Sequence, residues 1–207
     1  MNCKSLIIAG LVIPLITLTD CKTKNDGDKN NVSSLPDQSE STKPTLTISI
    51  HQAALDGDLS QVSMHLANGL DVNTMDEEGR TVLMYAAYNG HTEILKKLIE
   101  KGAVINLADN YGRTALMMAS SGPYTEAVKL LLDHNADPDM ADKEEHFTAL
   151  MYAAAEGQLE VVRILLAYRA DPALKDVDGD DALTFAVNNR HKEIALLLQS
   201  FITKQIK

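Results

Sequence analysis

The polar and apolar positions from residue 46 onward predict pairs of short helices separated by polar turns. After the turn at 76–80, Leu83, Ala86 and Ala87 fall on one face of a first helix. Thr81 precedes that helix and predicts its N-cap, because a hydroxyl accepts a hydrogen bond from the free backbone N–H groups of the first turn. Apolar residues within 93–99 then form one face of a second helix. Glycines complete the pattern at the turn and at the helix ends: Gly79, Gly90 and Gly102.

This pattern recurs with a period of about 33 residues. Its markers are the aspartate that opens each turn and the Thr or Asp that begins each first helix: Asp76, Asp109, Asp142 and Asp176, then Thr81, Thr114, Thr148 and Asp181. A fixed period of this length predicts a solenoid, in which each supersecondary unit packs on its neighbours rather than around one central core.

A turn followed by two helices in 33 residues resembles the ankyrin repeat. The resemblance implies an all-α solenoid of about five helix-turn-helix units, with short hairpin turns projecting from one edge. The repeat domain covers residues 46–207, and the predicted units are 46–75, 76–108, 109–141, 142–175 and 176–207.

Three features depart from the family pattern. Met84, Met117 and Met151 stand where the family has histidine, so the usual Thr–His hydrogen bond is unavailable in the middle units, and we expect these thioethers to pack in the core. Pro123 replaces the glycine between the helices of the third unit. The fourth turn has one extra residue within 143–147 and no glycine, which predicts an enlarged turn.

The first 21 residues follow a different pattern. Lys4 precedes an apolar run at 6–18, an arrangement typical of a secretory signal peptide. The run of 13 residues is shorter than the roughly 20 that span a bilayer. Cys21 ends this segment and polar residues follow at once.

A signal that ends in a cysteine and continues into a polar segment resembles a bacterial lipoprotein precursor. The resemblance implies that Cys21 is acylated as the mature N-terminus, which would anchor an exported protein in the bacterial cell envelope by lipid. An ordinary secreted, periplasmic protein cleaved nearby and a retained N-terminal anchor are the alternatives. Residues 22–45 contain very few apolar side chains and predict a disordered tether.

The net charge and the positions of the cysteines exclude several classes of function. The chain has 29 acidic and 19 basic residues, a net charge of −10. From residue 46 onward there are 24 acids and 14 bases, so the whole excess belongs to the repeat domain. Such a balance argues against nucleic-acid binding. The two cysteines, Cys3 and Cys21, both precede the repeats, which excludes a disulfide scaffold or a Cys-based metal site there.

No sequence motif for catalysis, metal binding or a cofactor is found in the chain. Its six histidines lack a metal-ligand spacing, and His91 and His191, each at the start of a second helix, predict hydrogen bonds to a turn. The aspartate-rich segment 176–181 lacks the length and terminal glutamate of a calcium loop, so a solvated turn with an Asp N-cap is expected. We therefore predict a non-catalytic protein without cofactor or metal; an enzyme is the weakest alternative.

The ankyrin resemblance implies protein binding through the turn tips and the exposed side of the first helices. Matched to this sequence, the predicted protein-binding residues are Glu77, Glu78, Arg80, Tyr88, Asn89, Tyr111, Arg113, Glu144, Phe147, Asp178 and Asp180. Exposed Tyr88, Tyr111 and Phe147 among carboxylates predict aromatic anchors for a basic protein partner. An inhibitor or immunity protein that blocks a basic enzyme would use the same surface. A solvated acidic face that only maintains solubility is the remaining interpretation, and we expect a monomer.

Overall fold

The computed structural model describes residues 48–205, which form ten α-helices and no strand. The helices are α1 (Ile50–Asp56), α2 (Leu59–Ala67), α3 (Val82–Tyr88), α4 (Thr92–Glu100), α5 (Ala115–Ser120), α6 (Thr125–Asp133), α7 (Ala149–Ala155), α8 (Leu159–Ala167), α9 (Ala182–Asn188) and α10 (Lys192–Gln205). The predicted signal peptide with Cys21 and the predicted tether at 22–45 lie outside the described residues.

The ten helices form five stacked pairs, which confirms the predicted all-α solenoid. Each odd-numbered helix packs on the even-numbered helix that follows it. The odd-numbered helices also contact one another from unit to unit, and so do the even-numbered helices. Ala86 and Ala87 in α3 are 0% exposed, so the small side chains allow the first helices to approach closely. Leu98 in α4 and Leu131 in α6 are also fully buried, which places the core between successive units.

The first helices of units two to five begin at the predicted caps. The Thr81 hydroxyl accepts a hydrogen bond from the Met84 backbone N–H at 3.3 Å, and Thr114 and Thr148 repeat this geometry in α5 and α7. In the fifth unit Asp181 is the cap and accepts from the Thr184 N–H at 2.9 Å. Satisfying a free N–H of the first turn stabilises each of these short helices.

The histidine of the family pattern is replaced by a methionine sulfur in two units. The Thr81 backbone N–H donates to the Met84 Sδ over 3.4 Å, and Thr114 N–H donates to the Met117 Sδ over 3.5 Å. Met84, Met117 and Met151 are at most 2% exposed, which confirms that they pack in the core. The thioethers of Met84 and Met117 therefore fill space in the core and each accept a hydrogen bond from a buried backbone N–H.

Met84→Leu is expected to destabilise the protein by about 1 kcal/mol more than Met151→Leu, because it leaves the buried Thr81 N–H without an acceptor. Met151 is the matched control, since its unit shows only the Thr148 cap bond. Urea unfolding of both variants measures the difference. Equal losses would mean that the sulfur contributes only its volume.

Hydrogen bonds to the preceding unit hold the start of the second helices. The His91 Nε2 lies 2.9 Å from the Leu55 carbonyl oxygen, and the Asn89 amide donates to the same oxygen at 2.8 Å. His191 repeats this contact with the Ala155 carbonyl oxygen at 3.0 Å. His91 and His191 therefore have a structural role, as predicted, but their hydrogen bonds go to the end of the preceding unit's first helix rather than to a turn.

Candidate protein-binding face

Each turn of units two, three and five is built around a single aspartate side chain. Asp76 Oδ1 accepts hydrogen bonds from the backbone N–H groups of Glu78 at 3.1 Å and Arg80 at 2.8 Å. Asp109 and Asp176 close their turns in the same way. These carboxylates point into the protein, so they shape the turns rather than form its outer surface.

Arg80 and Arg113, predicted to contact a partner, are used inside their own turns. Arg80 Nε lies 2.8 Å from Asp76 Oδ2, and one of its terminal nitrogens lies 2.8 Å from Glu78 Oε2. Arg113 pairs with the buried Asp109 at 2.8 Å. Both arginine side chains are only 16% exposed, so their guanidinium groups hold the turns together, and their contact with a partner stays a prediction.

Partly buried Asp–Tyr pairs support two of the turns. The Asp76 carboxylate accepts from the Tyr85 hydroxyl at 2.7 Å, and burial together with this bond raises the pKa of Tyr85 to about 12. Burial alone would raise the pKa of Asp76, but hydrogen bonds from Tyr85 and Arg80 outweigh it and lower that pKa. Burial, with the nearby Asp142 carboxylate, also raises the pKa of Tyr152.

The fourth turn is enlarged, as predicted. Its closing bond runs from the Asp142 N–H to the Phe147 carbonyl oxygen, one residue farther than the bond from Asp76 to Arg80. His146 takes a left-handed conformation with φ of 61°. The extra residue leaves all four side chains of 143–146 exposed.

Phe147 is not the exposed anchor that was predicted. Its ring is 8% exposed and packs edge-on against Tyr152, with centroids 5.6 Å apart, and against Phe185 at 4.9 Å. The inserted residue shifts Phe147 into the place that Arg80 and Arg113 occupy in their turns. An aromatic ring at that inward position is stabilised by burial, so it contributes to the core between units four and five.

Backbone hydrogen bonds join successive turn tips. The N–H groups of Asn110, Lys143 and Val177 donate to carbonyl oxygens of the preceding tip, on Glu78 at 3.0 Å, Tyr111 at 2.8 Å and Glu145 at 3.1 Å. Glycines allow this close approach: a Cβ on Gly112 would lie 2.7 Å from the Lys143 backbone nitrogen. The tips are therefore held in register along one edge of the solenoid.

Several side chains project from this edge, and we call the acidic and aromatic ones the turn-tip face: Glu77, Tyr111, Glu144, Glu145 and Asp178. Asn110, Lys143, His146 and Val177 are exposed on the same edge. Tyr111 is 41% exposed, and the Arg113 guanidinium lies 4.8 Å from the centre of its ring. Of the other predicted residues, Glu78, Tyr88 and Asp180 are half-buried, and Asn89 is half-buried with its amide bonded to Leu55.

A shallow cleft that the sequence did not predict lies between the end of the third unit, the fourth turn and the end of the fourth unit. Asp139, Asp142, His146 and Leu174 are among its lining residues. The extra residue of the fourth turn was the available signal, but it indicated a larger turn rather than a depression beside it. Within the described range, no cluster of His, Cys, Asp and Glu side chains is arranged to bind a metal.

Comparison with known families identifies the repeats. A family model for ankyrin repeats, described as three copies, matches residues 50–142 and again 124–207. No curated protein matches the sequence. None of the helices within 48–205 is long and apolar enough to cross a membrane. The matched repeats cover most of the chain and coincide with the five stacked helix pairs, so the chain belongs to the ankyrin-repeat family of protein–protein interaction modules.

Proposed function

We propose that this protein is exported, is held in the bacterial cell envelope by a lipid on Cys21, and binds a basic protein partner through the turn-tip face. The proposal of partner binding is based on the structure of residues 48–205. The proposal of export and lipid anchoring is based on the sequence of the first 21 residues alone. A separate experiment tests each of them.

The observation that carries the binding proposal is the division of the acidic residues into two sets. Asp76 and Asp109 are satisfied by arginine and backbone N–H groups inside the turns. Glu77, Glu144 and Glu145 are exposed, and among the residues described by the structure they form no ion pair. These carboxylates outnumber the exposed cation of the same edge, Lys143, and an excess of negative charge along an edge favours encounter with a partner of opposite charge.

Tyr111 supplies an aromatic contact within this acidic edge. Its side chain is 41% exposed, and the Arg113 guanidinium packed against the ring limits its motion. An aromatic side chain held in place before binding loses little entropy on contact. Tyr111 is therefore the expected anchor, and the carboxylates around it are expected to steer the partner.

Neutralising the turn tips is expected to slow association with the partner. The test begins with affinity capture on immobilised wild-type protein and proceeds to binding kinetics with the captured protein at low and high salt. The triple variant Glu77→Gln/Glu144→Gln/Glu145→Gln should reduce the association rate by about tenfold or more at low salt, where steering is strongest. Tyr111→Ala should mainly speed dissociation.

The matched control neutralises three exposed glutamates on the second helices, Glu93→Gln/Glu126→Gln/Glu160→Gln, which changes the net charge equally. It should leave the salt dependence of association nearly unchanged. If both triple variants slow association alike, only net charge matters and the turn-tip face is not the binding site. If neither does, the partner binds elsewhere on the solenoid.

Cys21→Ala is expected to move the protein out of the membrane fraction. In bacterial lipoproteins this cysteine carries several acyl chains, enough for stable anchoring, whereas one chain anchors only marginally. Detergent partitioning and incorporation of labelled fatty acid measure the change, and Cys3→Ala is the matched control within the segment removed by cleavage. A mature wild-type protein with a free Cys21 thiol, or one cleaved elsewhere, would refute lipid anchoring and leave the binding proposal standing.

A further inference from the structure

The repeat domain contains two Asn–Gly pairs that share one backbone arrangement. Asn68 directly follows α2, and Asn89 directly follows α3. The glycine after each of them is left-handed, with φ of 87° at Gly69 and 68° at Gly90. Each glycine N–H donates to the carbonyl oxygen three residues before it, at 3.1 Å. A difference in reactivity between the pairs must therefore come from their side chains and surroundings.

An Asn–Gly pair can react with itself in water. The glycine backbone nitrogen gives up its proton and attacks the asparagine Cγ. The new N–Cγ bond closes a five-membered succinimide ring, while the Cγ–Nδ2 bond breaks and the side-chain nitrogen takes up a proton and leaves as ammonia. Water then opens the ring at either carbonyl, which leaves an aspartate or an isoaspartate. Glycine favours the closure because it has no Cβ to obstruct the ring.

Asn89 is held away from this reaction. Its Nδ2 donates to the Leu55 carbonyl oxygen at 2.8 Å, and the residue is half-buried. The Tyr124 ring packs so closely on Gly90 that a Cβ there would overlap it. Ring closure at Asn89 would break the bond to Leu55 and displace the tyrosine, and both changes cost free energy.

Asn68 has neither restraint. It is exposed, and its side chain forms no hydrogen bond within residues 48–205. Gly69 is exposed as well, and a Cβ there would meet nothing within 4 Å. The turn bond of the Gly69 N–H opens at the end of a helix, where local opening is easiest. The Asn68 side chain is then free to rotate until its Cγ meets the glycine nitrogen.

We propose that Asn68 is a site of spontaneous deamidation, through a succinimide with Gly69, and that Asn89 is protected in the folded protein. The product places a carboxylate at the C-terminal end of α2, where the helix dipole disfavours negative charge. Isoaspartate also adds a methylene to the backbone ahead of Asn73, whose Oδ1 accepts from the Val104 N–H at 2.8 Å and joins units one and two. We expect this junction to weaken as the protein ages.

The experiment stores the purified full chain at mildly alkaline pH and follows its peptides by mass spectrometry. The peptide with Asn68 is expected to gain the mass difference between an amide and an acid, with isoaspartate as the main product. Its rate should exceed that at Asn89 by about tenfold or more, because Asn89 must first lose its bond and its tyrosine contact. Storage in guanidinium chloride is the control: with both pairs unfolded, the two rates should differ by less than about twofold.

The effect on the first unit is measured by hydrogen exchange of the Val104 amide, which should become about fivefold faster in the converted protein. Asn68→Gln is the matched control, because its longer side chain closes such a ring poorly, and its Val104 exchange should stay constant on storage. Equal rates at Asn68 and Asn89 in the folded protein, or an equal ratio in guanidinium chloride, would overturn the proposal. Unchanged Val104 exchange after full conversion would overturn the weakening of the junction. Partner binding through the turn-tip face does not depend on either result.

Discussion

Leu131→Ala is expected to lower the free energy of unfolding by about 2–5 kcal/mol, the range for truncating a buried leucine. Leu131 lies in α6 and is 0% exposed, packed between units where no solvent can fill the space that the alanine leaves. Because each unit of a solenoid is stabilised by its neighbours, a loss at the third unit weakens both adjacent interfaces. Urea unfolding of the full chain measures the effect.

Leu196→Ala is the control for this prediction. Leu196 lies on a second helix like Leu131 but is 72% exposed, so the same substitution should cost less than about 0.5 kcal/mol. Similar losses at both positions would mean that helix propensity, rather than burial between units, determines the result.

Gly112→Ala is expected to lower the free energy of unfolding by a comparable amount, because it disturbs the packing of the turn tips against each other. Gly112 has φ of 84°, where a non-glycine residue costs about 1–2 kcal/mol. The new Cβ would also lie 2.7 Å from the Lys143 backbone nitrogen. Since backbone cannot swing aside as a side chain can, the tips must separate, and a further loss of about 1–3 kcal/mol is expected.

Gly179 is the matched control, because it holds the same position in the last turn. Its φ is 85°, and a Cβ there would meet nothing within 4 Å. Gly179→Ala should show the conformational cost alone, so the difference between the two variants isolates the contact between tips. Equal losses of stability would show that the tips are not packed against each other at Gly112. If the turn-tip face depends on register, Gly112→Ala should also weaken partner binding, and Gly179→Ala should do so less.

Local chemistry made the repeat architecture predictable from the sequence. The bond at the Thr81 cap lies within one unit, and Ala86 and Ala87 pack against similar neighbouring units. Because such contacts recur in each unit, they appear in the sequence as a repeated pattern. The enlarged fourth turn followed from one extra residue in the same way. The structural role of His91 was predictable because it recurs in the last unit at His191.

The composition of the surface was decided by tertiary structure. Arg80 and Arg113 are charged residues in turns, a type that predicts exposure, but the folded turn pairs each of them with the aspartate four residues before it and turns it inward. Phe147 became a core residue because the insertion moved it next to Tyr152 and Phe185, which lie in two different helices.

Which elements form and how they repeat depend on spacing and on bonds a few residues apart, so both could be predicted from the sequence. The positions of the turn tips relative to one another, and of the cleft beside them, could not be predicted in this way. They depend on contacts between units more than 30 residues apart, such as the bond from the Lys143 N–H to the Tyr111 carbonyl oxygen. The energy of burying a charge or a ring is set by such neighbours, which the linear pattern does not reveal.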